Sequence, residues 1–558
     1  MKFQCFTILL LYTFSLLAQT SDIINPTNHL ELEESFNRDQ AIIPQLRGVI
    51  LTNRAIYPSY EEIQRAVGNI DTINVRIPGA LKELHSLILN KFLNQPLTRE
   101  DLLKLKHDII LYYRRCGRPI VTLEIPQQNI THGVLQIIIT EGKLGKITVE
   151  ENKYFTKENL RSSIRLKEGQ PIDAKILLSD INWINRNPFR KVDVIYTPGS
   201  KEGDTDIRLL TLDRRPWKIF STIDNTGNKE TSNIRISAGA IWGNLFNRDH
   251  QLSIQSTCAY PIKRLWSLGI HYTIPLPWRD CCSFYGGYSH VHPDLKQENV
   301  RNTGYSVQLS MRYSFILSPL YRLIHDLFIG FDYKRMNNNI EFGETNIYQK
   351  SIDLAHFALS YHGTYDSKYA KTSFMLELFY SPFKPWLPKQ SNDDYNLVRP
   401  NAKVRYFYSR CTISPLIKLS KDFSALLTLR GQLASCPLIT SEQFGLGGHN
   451  TIRGYKEREV NVDNAFLASA ELRTRPLFIG KKCFKDGLQF LLFVDYGIGS
   501  NIKANPKEKC TRYLLSVGPG VRYEFVPYIS FRGDFGIQLH RLNKQQNHRL
   551  HFSLSMSY

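Results

Sequence analysis

Few residues in this chain have the type and spacing that chemistry would need. His290-Val-His292-Pro-Asp294 sets two imidazoles at i and i+2 with a carboxylate beyond, an arrangement that could hold a zinc ion. The HxHxDH pattern of metal-dependent hydrolases requires histidine where Leu295 stands, and no βαβ pattern surrounds the segment, so the pair reads as hairpin-end residues and no metal is expected. Gly445-Leu-Gly447-Gly448-His449-Asn450 is glycine-rich, but it lacks GxGxxG spacing and no helix follows to point its N-terminus at a pyrophosphate. GxSxG, HExxH and Walker patterns do not occur. Neither an enzyme nor a resident cofactor is expected.

The same glycine-rich run continues into Thr451-Ile452-Arg453-Gly454-Tyr455, which sets one arginine between flexible positions. A guanidinium held this way can clamp a carboxylate with two parallel hydrogen bonds. A partner is available in Phe493-Val494-Asp495-Tyr496-Gly497. Successive strand residues face opposite ways, so Phe490, Leu492, Val494 and Tyr496 form one apolar face and Asp495 points to the other. Leu491 and Phe493 share the face of Asp495. By the same parity Glu471 and Arg473 lie opposite Phe466, Ala468, Ala470 and Leu472. The residues alone leave two readings, a clamp inside a sheltered lumen or a surface ion pair worth about 0–1 kcal/mol.

The elements around these residues decide what a clamp could do. From Trp217 to Tyr558 helical periodicity gives way to alternation: Ile234, Ile236, Ala238, Ala240 and Trp242 share one face, as do Trp266, Leu268, Ile270, Tyr272 and Ile274. The last strand sets Leu550, Phe552, Leu554, Met556 and Tyr558 against Arg549, His551, Ser553, Ser555 and Ser557. A soluble sandwich also alternates. The length of the series and the aromatics near strand ends favour a transmembrane antiparallel β-barrel of roughly 14 to 18 strands.

Upstream, residues 45–142 and 143–215 read as two α+β modules of the plan β-α-α-β-β. Thr98 and Asp101 form a capping box for a helix carrying Leu102, Leu105, Ile109 and Tyr112 or Tyr113 on one face. In the second module Thr156 opens one helix and Asp173 caps another, and Asn185-Arg-Asn-Pro188 ends it. Residues 21–44 read as a peripheral segment and linker. Met1-Lys2, an apolar run from Phe3 to Leu17 and small residues at Ala18 and Thr20 describe a secretory signal peptide over 1–20; a single N-terminal anchor is the other reading.

Composition agrees. The 558 residues carry a net charge of +20, with 42% hydrophobic residues, 30 Phe and 29 Tyr. The mean hydropathy of −0.29 excludes a bundle of membrane helices, and the aromatics exclude a disordered coil. Eight of the nine cysteines lie beyond the signal without CxxC spacing, and adjacent Cys281 and Cys282 face opposite ways in a strand.

Taken together these segments resemble the two-partner secretion transporters (TpsB proteins, the haemolysin-activator family), a branch of the outer-membrane assembly superfamily. Ile452-Arg453-Gly454-Tyr455 is similar to the superfamily's lid-loop motif and Phe493-Val494-Asp495-Tyr496-Gly497 to its partner strand motif. Tyr112 to Gly117 with Pro126-Gln127-Gln128 resembles the first polypeptide-transport-associated (POTRA) module, and Asn187-Pro188-Phe189-Arg190 the second. Asp224-Asn-Thr-Gly227 and Asn244 to Leu252 resemble the opening barrel strands; Arg118 departs from the pattern, standing where an aromatic usually follows glycine.

The resemblance implies a barrel of sixteen strands over 216–558, preceded by two periplasmic POTRA modules, in the cell outer membrane. It implies export of one large TpsA-type exoprotein from periplasm to surface, with a lid loop held by Arg453 and Asp495. Gln127, Gln128, Asn187, Pro188, Phe189 and Arg190 are the client-contact candidates. The terminal Tyr558 resembles the signal by which the outer-membrane assembly machinery receives barrels. The implied partners are that client, that machinery and the outer-membrane bilayer, without nucleic acid. A barrel-insertion factor of the same superfamily is one alternative; a secreted basic β-protein binding polyanions, suggested by the charge, is a remoter one.

Overall fold

A computed structural model describes residues 41–201, 203–229, 231–293, 303–338, 347–382, 387–480, 486–503, 510–542 and 547–558. The expected signal peptide, most of the segment 21–44, Asp294, Leu295 and Cys483 lie outside the described residues. The chain divides after Arg214 into two units.

The first unit holds two sheets. β1 (Gly48–Thr52), β2 (Ile70–Ile73), β3 (Val121–Glu124) and β4 (Val134–Glu141) lie in the order β2-β1-β4-β3. Across them packs the helix Arg99–Arg115. It starts where expected: Thr98 Oγ1 accepts the Asp101 N–H at 3.2 Å and the Asp101 carboxylate accepts the Thr98 N–H at 3.3 Å. Its apolar face buries Leu105, Ile109, Tyr112 and Tyr113 against Leu51, Leu84, Ile88 and Ile137. The module is larger than the β-α-α-β-β plan. A seven-residue helix, Tyr60–Ala66, leads into β2, which pairs in parallel with β1. Elements of seven and four residues span too few periods to register as periodicity.

The second sheet follows the expected plan, with β5 (Lys143–Glu150), β6 (Arg190–Pro198) and β7 (Asp204–Asp213) in the order β5-β7-β6 and helices Lys157–Ser162 and Ala174–Ile184. Asp173 caps the longer helix, accepting the N–H groups of Lys175 and Ile176 at 2.9 and 3.1 Å. Thr156 stands at the cap of the shorter one but makes no side-chain capping bond. The two modules meet at Arg118, whose guanidinium lies 3.1 Å from Glu141 and 3.7 Å from Asp173, while the Ala174 N–H donates to the Gly117 carbonyl at 2.8 Å. Burial pushes the Glu141 carboxyl up and Arg118 opposes it. Arginine after the glycine therefore has its own work, joining the modules by charge.

In the second unit sixteen antiparallel strands close into a barrel. The first, Trp217–Asp224, pairs with the last, His548–Ser557, from Asp224↔Ser553 to Phe220↔Ser557. Closure leaves no unpaired edge, which lipid could not satisfy. Alternation has the expected sense. Ile236, Trp242, Trp266, Ile270, Phe490, Leu492 and Val494 are exposed on the outside, whereas Arg235, Ser237, Asp495 and His551 are buried within. An even number of strands returns the chain to the face it entered, so Trp217 and Tyr558 share one rim.

Two insertions at the opposite rim break the all-strand expectation. The helix Asn392–Val398, capped by Ser391, lies between strands Ala370–Ser381 and Tyr406–Lys418. Its Tyr395 is buried with inward-facing Met336, Ile352 and Leu354 and donates its hydroxyl to the Asp353 carbonyl at 2.7 Å. The second insertion, residues 435–463, joins strands Phe423–Ala434 and Asn464–Thr474 and contains a hairpin of Phe444–Leu446 with Val460–Val462.

Ile109→Ala is expected to destabilise the first module by about 2–5 kcal/mol. Thr98→Ala should cost only about 1 kcal/mol, because the capping bond is partly exposed. Limited proteolysis of the full chain across a urea series reads both; equal midpoints for the two variants would contradict this packing.

Candidate functional site

The insertion 435–463 folds back so that residues 447–459 lie against the inner wall formed by strands Asn464–Thr474, Asp486–Ser500, Thr511–Phe525, Ile529–Gln538 and His548–Ser557. Arg453 is its anchor and is 2% exposed. Its Nε donates to Asp495 Oδ2 and its Nη2 to Asp495 Oδ1, both at 2.7 Å, and its main-chain N–H adds a third bond to Oδ2 at 3.0 Å. Nη1 donates to Glu471 Oε1 at 2.6 Å, and Asp534 Oδ1 lies 3.6 Å away. The guanidinium carbon sits 3.6 Å over the centre of the Phe493 ring. Inward Phe493, which blurred the parity argument, thus supplies the aromatic floor under the cation.

The cluster interleaves charges of both signs. Arg473 bonds Glu471, while Arg522 and Arg532 bond Asp534 at 2.8 and 2.7 Å. With Asp495 these make three carboxylates among four guanidiniums. Burial opposes the charge on Arg453, and the bonds and charge of Asp495, with Glu471 and Asp534 behind, overcome it and hold its pKa above the ordinary value.

Backbone shape explains the neighbours. Gly454 has φ +89°, and its amide donates to His551 Nε2 at 3.0 Å while its carbonyl accepts from Gln538 Nε2 at 2.6 Å. A Cβ on Gly536 would stand 2.3 Å from the Gly454 nitrogen, so the loop and the wall touch backbone to backbone. Gly497 makes room for Ile452, whose Cδ1 would lie 2.3 Å from any Cβ there. The Tyr455 hydroxyl accepts the Leu515 N–H at 3.2 Å and donates to the carbonyl of His540. The seven residues singled out in the two motifs, Ile452, Arg453, Gly454, Tyr455, Phe493, Asp495 and Gly497, therefore meet in one place.

The client-contact candidates do not meet. Asn187, Phe189 and Arg190 are buried: Asn187 Oδ1 accepts the Phe189 N–H at 3.1 Å, and the Arg190 guanidinium donates to the Ile184 carbonyl at 3.0 Å and lies 4.6 Å over the Phe155 ring. Gln128 is spent on both main-chain groups of Gln136, at 2.6 and 2.8 Å. These four are engaged within their own modules, Gln128 in the first and the other three in the second. Pro188 is half-buried and Gln127 alone among the six is exposed. Tyr558 is exposed at the rim, its ring centre 6.2 Å from that of Trp217.

Sequence reasoning missed a second anchor. Asp463, fully buried, accepts from Arg399 Nη1 and Nη2 at 2.5 and 2.7 Å, from the Leu438 N–H at 3.0 Å and from the Ile502 N–H at 2.9 Å. One carboxylate thereby ties the helix-bearing insertion, the insertion 435–463 and the next connection. Nothing near Val462-Asp463-Asn464 marks it. Arg532 and Asp534, by contrast, were open to the parity argument, since they lie opposite Phe531, Gly533 and Phe535.

A closed sixteen-strand barrel behind two POTRA modules, with a loop pinned inside by a buried arginine, is an outer-membrane transporter barrel. The family model for haemolysin secretion/activation proteins (ShlB/FhaC/HecB) matches residues 203–523, and the chain belongs to that family. It is thus a two-partner secretion transporter of the outer membrane, with its POTRA modules in the periplasm. The POTRA model matches residues 142–211. Among similar proteins, the outer membrane transporter CdiB of Dickeya dadantii (strain 3937) is 24% identical over 478 residues, 80% of this chain and 81% of that one. The heme/hemopexin transporter HuxB of Haemophilus influenzae (strain 86-028NP) is 21% identical, covering 78% and 77%. The solved structure of CdiB from Escherichia coli shares the fold with a TM-score of 0.74 at 16% identity, over 95% of this chain and 93% of that one. CdiB from Acinetobacter baumannii shares it at 0.67 and 18%, over 100% and 98%.

Gly536→Ala forces its new methyl onto the Gly454 backbone and should release the loop while leaving the strands paired. The expected result is protease cleavage within 447–459 of a barrel that still resists cold detergent; an uncut loop would contradict the close approach. Asp463→Asn, which leaves Arg399 without its ionic partner, should cost about 3–5 kcal/mol and lower the thermal midpoint of the barrel.

Proposed function

We propose that this transporter exports one dedicated, large TpsA-type exoprotein, and that the loop 447–459 is a lid that must move for the client to pass. The observation that carries the reading is Arg453: a buried cation paired bidentately with Asp495, on a loop that fills lumen space without being a strand of the wall. Such a pair sets position and register more than it adds stability, because desolvation offsets much of its attraction. The relatives named above are themselves described as transporters, one of heme/hemopexin, which supports export and leaves the client of this chain to experiment.

Client capture falls to the POTRA modules. β6 is an edge of its sheet, and its exposed Ile195 and Tyr196 offer apolar contact there. An extended client segment can add to such an edge through backbone hydrogen bonds. Gln127, exposed on the first module, is the remaining side-chain candidate. Tyr558, exposed at the end of the last strand, serves the assembly machinery when the barrel is built. Folding of the client outside supplies direction, since no nucleotide-binding pattern is present in the sequence.

Comparison of secreted and outer-membrane proteins with and without the gene tests the reading. Loss of one large surface protein with other barrels unchanged is expected; broad loss of many barrels would point to an insertion factor instead. Arg453→Ala should lower export several-fold with normal barrel insertion. Arg453→Lys should fall between, because an ammonium cannot fork across both oxygens of Asp495. Full export by Arg453→Ala would remove the lid pair from the mechanism.

A further inference from the structure

The rim that holds Trp217 and Tyr558 also carries the turn after every second strand of the barrel. Four successive turns there share one chemistry. They follow the strands Gly304–Ile316, Ile347–Asp366, Tyr406–Lys418 and Asn464–Thr474. Each sets an exposed cation beside an exposed apolar or aromatic side chain: Arg322 with Tyr321, Lys368 with Tyr369, Lys421 with Leu419, and Arg475 with Phe478. None of these four cations is held in an ion pair among the described residues. Two carboxylates, Asp366 and Asp422, are exposed beside them.

The turns are tied to one another through the main chain. The Asp366 N–H donates to the Arg322 carbonyl at 3.1 Å, the Lys418 N–H to the Tyr369 carbonyl at 2.9 Å, and the Arg475 N–H to the Asp422 carbonyl at 2.6 Å. Neighbouring turns stand two strand spacings apart, so the cations recur every ~10 Å along the rim. In two turns the cation lies on its own aromatic neighbour. The guanidinium carbon of Arg322 is 5.2 Å from the centre of the Tyr321 ring, and Lys368 Nζ is 5.4 Å from that of Tyr369. Aromatic rings at the ends of a membrane barrel settle at the boundary between hydrocarbon and headgroups. A cation stacked on such a ring is held at the level of the lipid phosphates.

Only two residues separate Trp217 from Arg214, where the periplasmic unit ends, a reach of about 10 Å. We propose that this arc of the rim is a binding site for the phosphate groups of anionic glycerophospholipids in the periplasmic leaflet, phosphatidylglycerol being the simplest such ligand. One Lys or Arg near an anionic surface strengthens attachment about fivefold. A row of them favours a lipid whose phosphate is the only charge. Phosphatidylethanolamine carries an ammonium next to its phosphate, which cancels much of that attraction. Leu419 and Phe478 supply the apolar contact for the adjoining acyl chains. The site fixes the height of the strands Asn464–Thr474 and Asp486–Ser500, which carry Glu471 and Asp495, against the membrane plane. It does not depend on what the barrel exports.

The test places the full-length protein in vesicles of phosphatidylethanolamine containing about a quarter phosphatidylglycerol. A trace of either lipid carries a photoreactive diazirine close to the headgroup. On illumination the phosphatidylglycerol probe should label peptides covering 317–322, 367–369, 419–422 and 475–480 about fivefold more than the phosphatidylethanolamine probe does. The quadruple variant Arg322→Gln, Lys368→Gln, Lys421→Gln and Arg475→Gln should bring the two probes level. Lys403→Gln, Arg405→Gln, Lys503→Gln and Arg541→Gln, four exposed cations of the opposite rim, should leave the preference unchanged. The unaltered protein gives a second reading that needs no variant: salt raised to about 1 M, where the screening length is about 3 Å, should abolish the preference. Equal labelling by both probes at low salt would overturn the site, as would a preference that survives the quadruple variant or is lost equally in the opposite-rim variant. Each of those results leaves the export reading standing.

Discussion

A guanidinium shut away from water has to be matched on every side, and most of what is unusual in this barrel follows from matching Arg453. Its two-pronged bond to Asp495 needs the carboxylate on the inner face of one strand, Glu471 on the next and Asp534 two strands further round. Those carboxylates need Arg473, Arg522 and Arg532 in turn. The set is compact because its members lie on neighbouring antiparallel strands whose inward positions recur every second residue. Removing any one member leaves a buried charge without its partner, so the network holds or fails together.

Holding the loop that close requires a wall without bulk. Gly497 and Gly536 stand where the loop presses in, and the contact at Gly536 is between two backbones. Glycine in a strand ordinarily weakens it. Here the loss is offset by the hydrogen bonds that Gly454 makes to His551 and Gln538. At the rim opposite Trp217 and Tyr558, Asp463 does for three connections what Asp495 does for one loop, drawing Arg399, Leu438 and Ile502 to a single carboxylate. The passage is thereby braced at two depths by two acidic residues on unrelated segments.

The modules show where local signals suffice. The helix Arg99–Arg115 was readable from its capping box and the spacing of Leu105, Ile109 and Tyr112, because both are properties of a few consecutive residues. The helix Tyr60–Ala66 and β2 were not, since neither is long enough to show a period. Asn187, Phe189 and Arg190 were legible as a motif but not as buried residues. A motif records which residues occur together, while burial depends on what folds over them, here Phe155 and the end of the helix Ala174–Ile184.

By itself the sequence determined the alternation that sends Asp495 inward and Phe490, Leu492 and Val494 outward, and with it a closed sheet facing lipid. Period and side-chain polarity are local, and a strand has only two faces. It also placed Arg453 beside glycines that free its backbone. What only the tertiary structure decided is which distant groups share a site: Arg453 with Glu471 and Asp534 besides Asp495, Gly454 with Gly536 and His551, and Asp463 with Arg399 and Ile502. These pairings join segments up to about a hundred residues apart, as in Gly454 and His551, and they exist only once the barrel closes and sets its register, since only then do inward positions on different strands face one enclosed space.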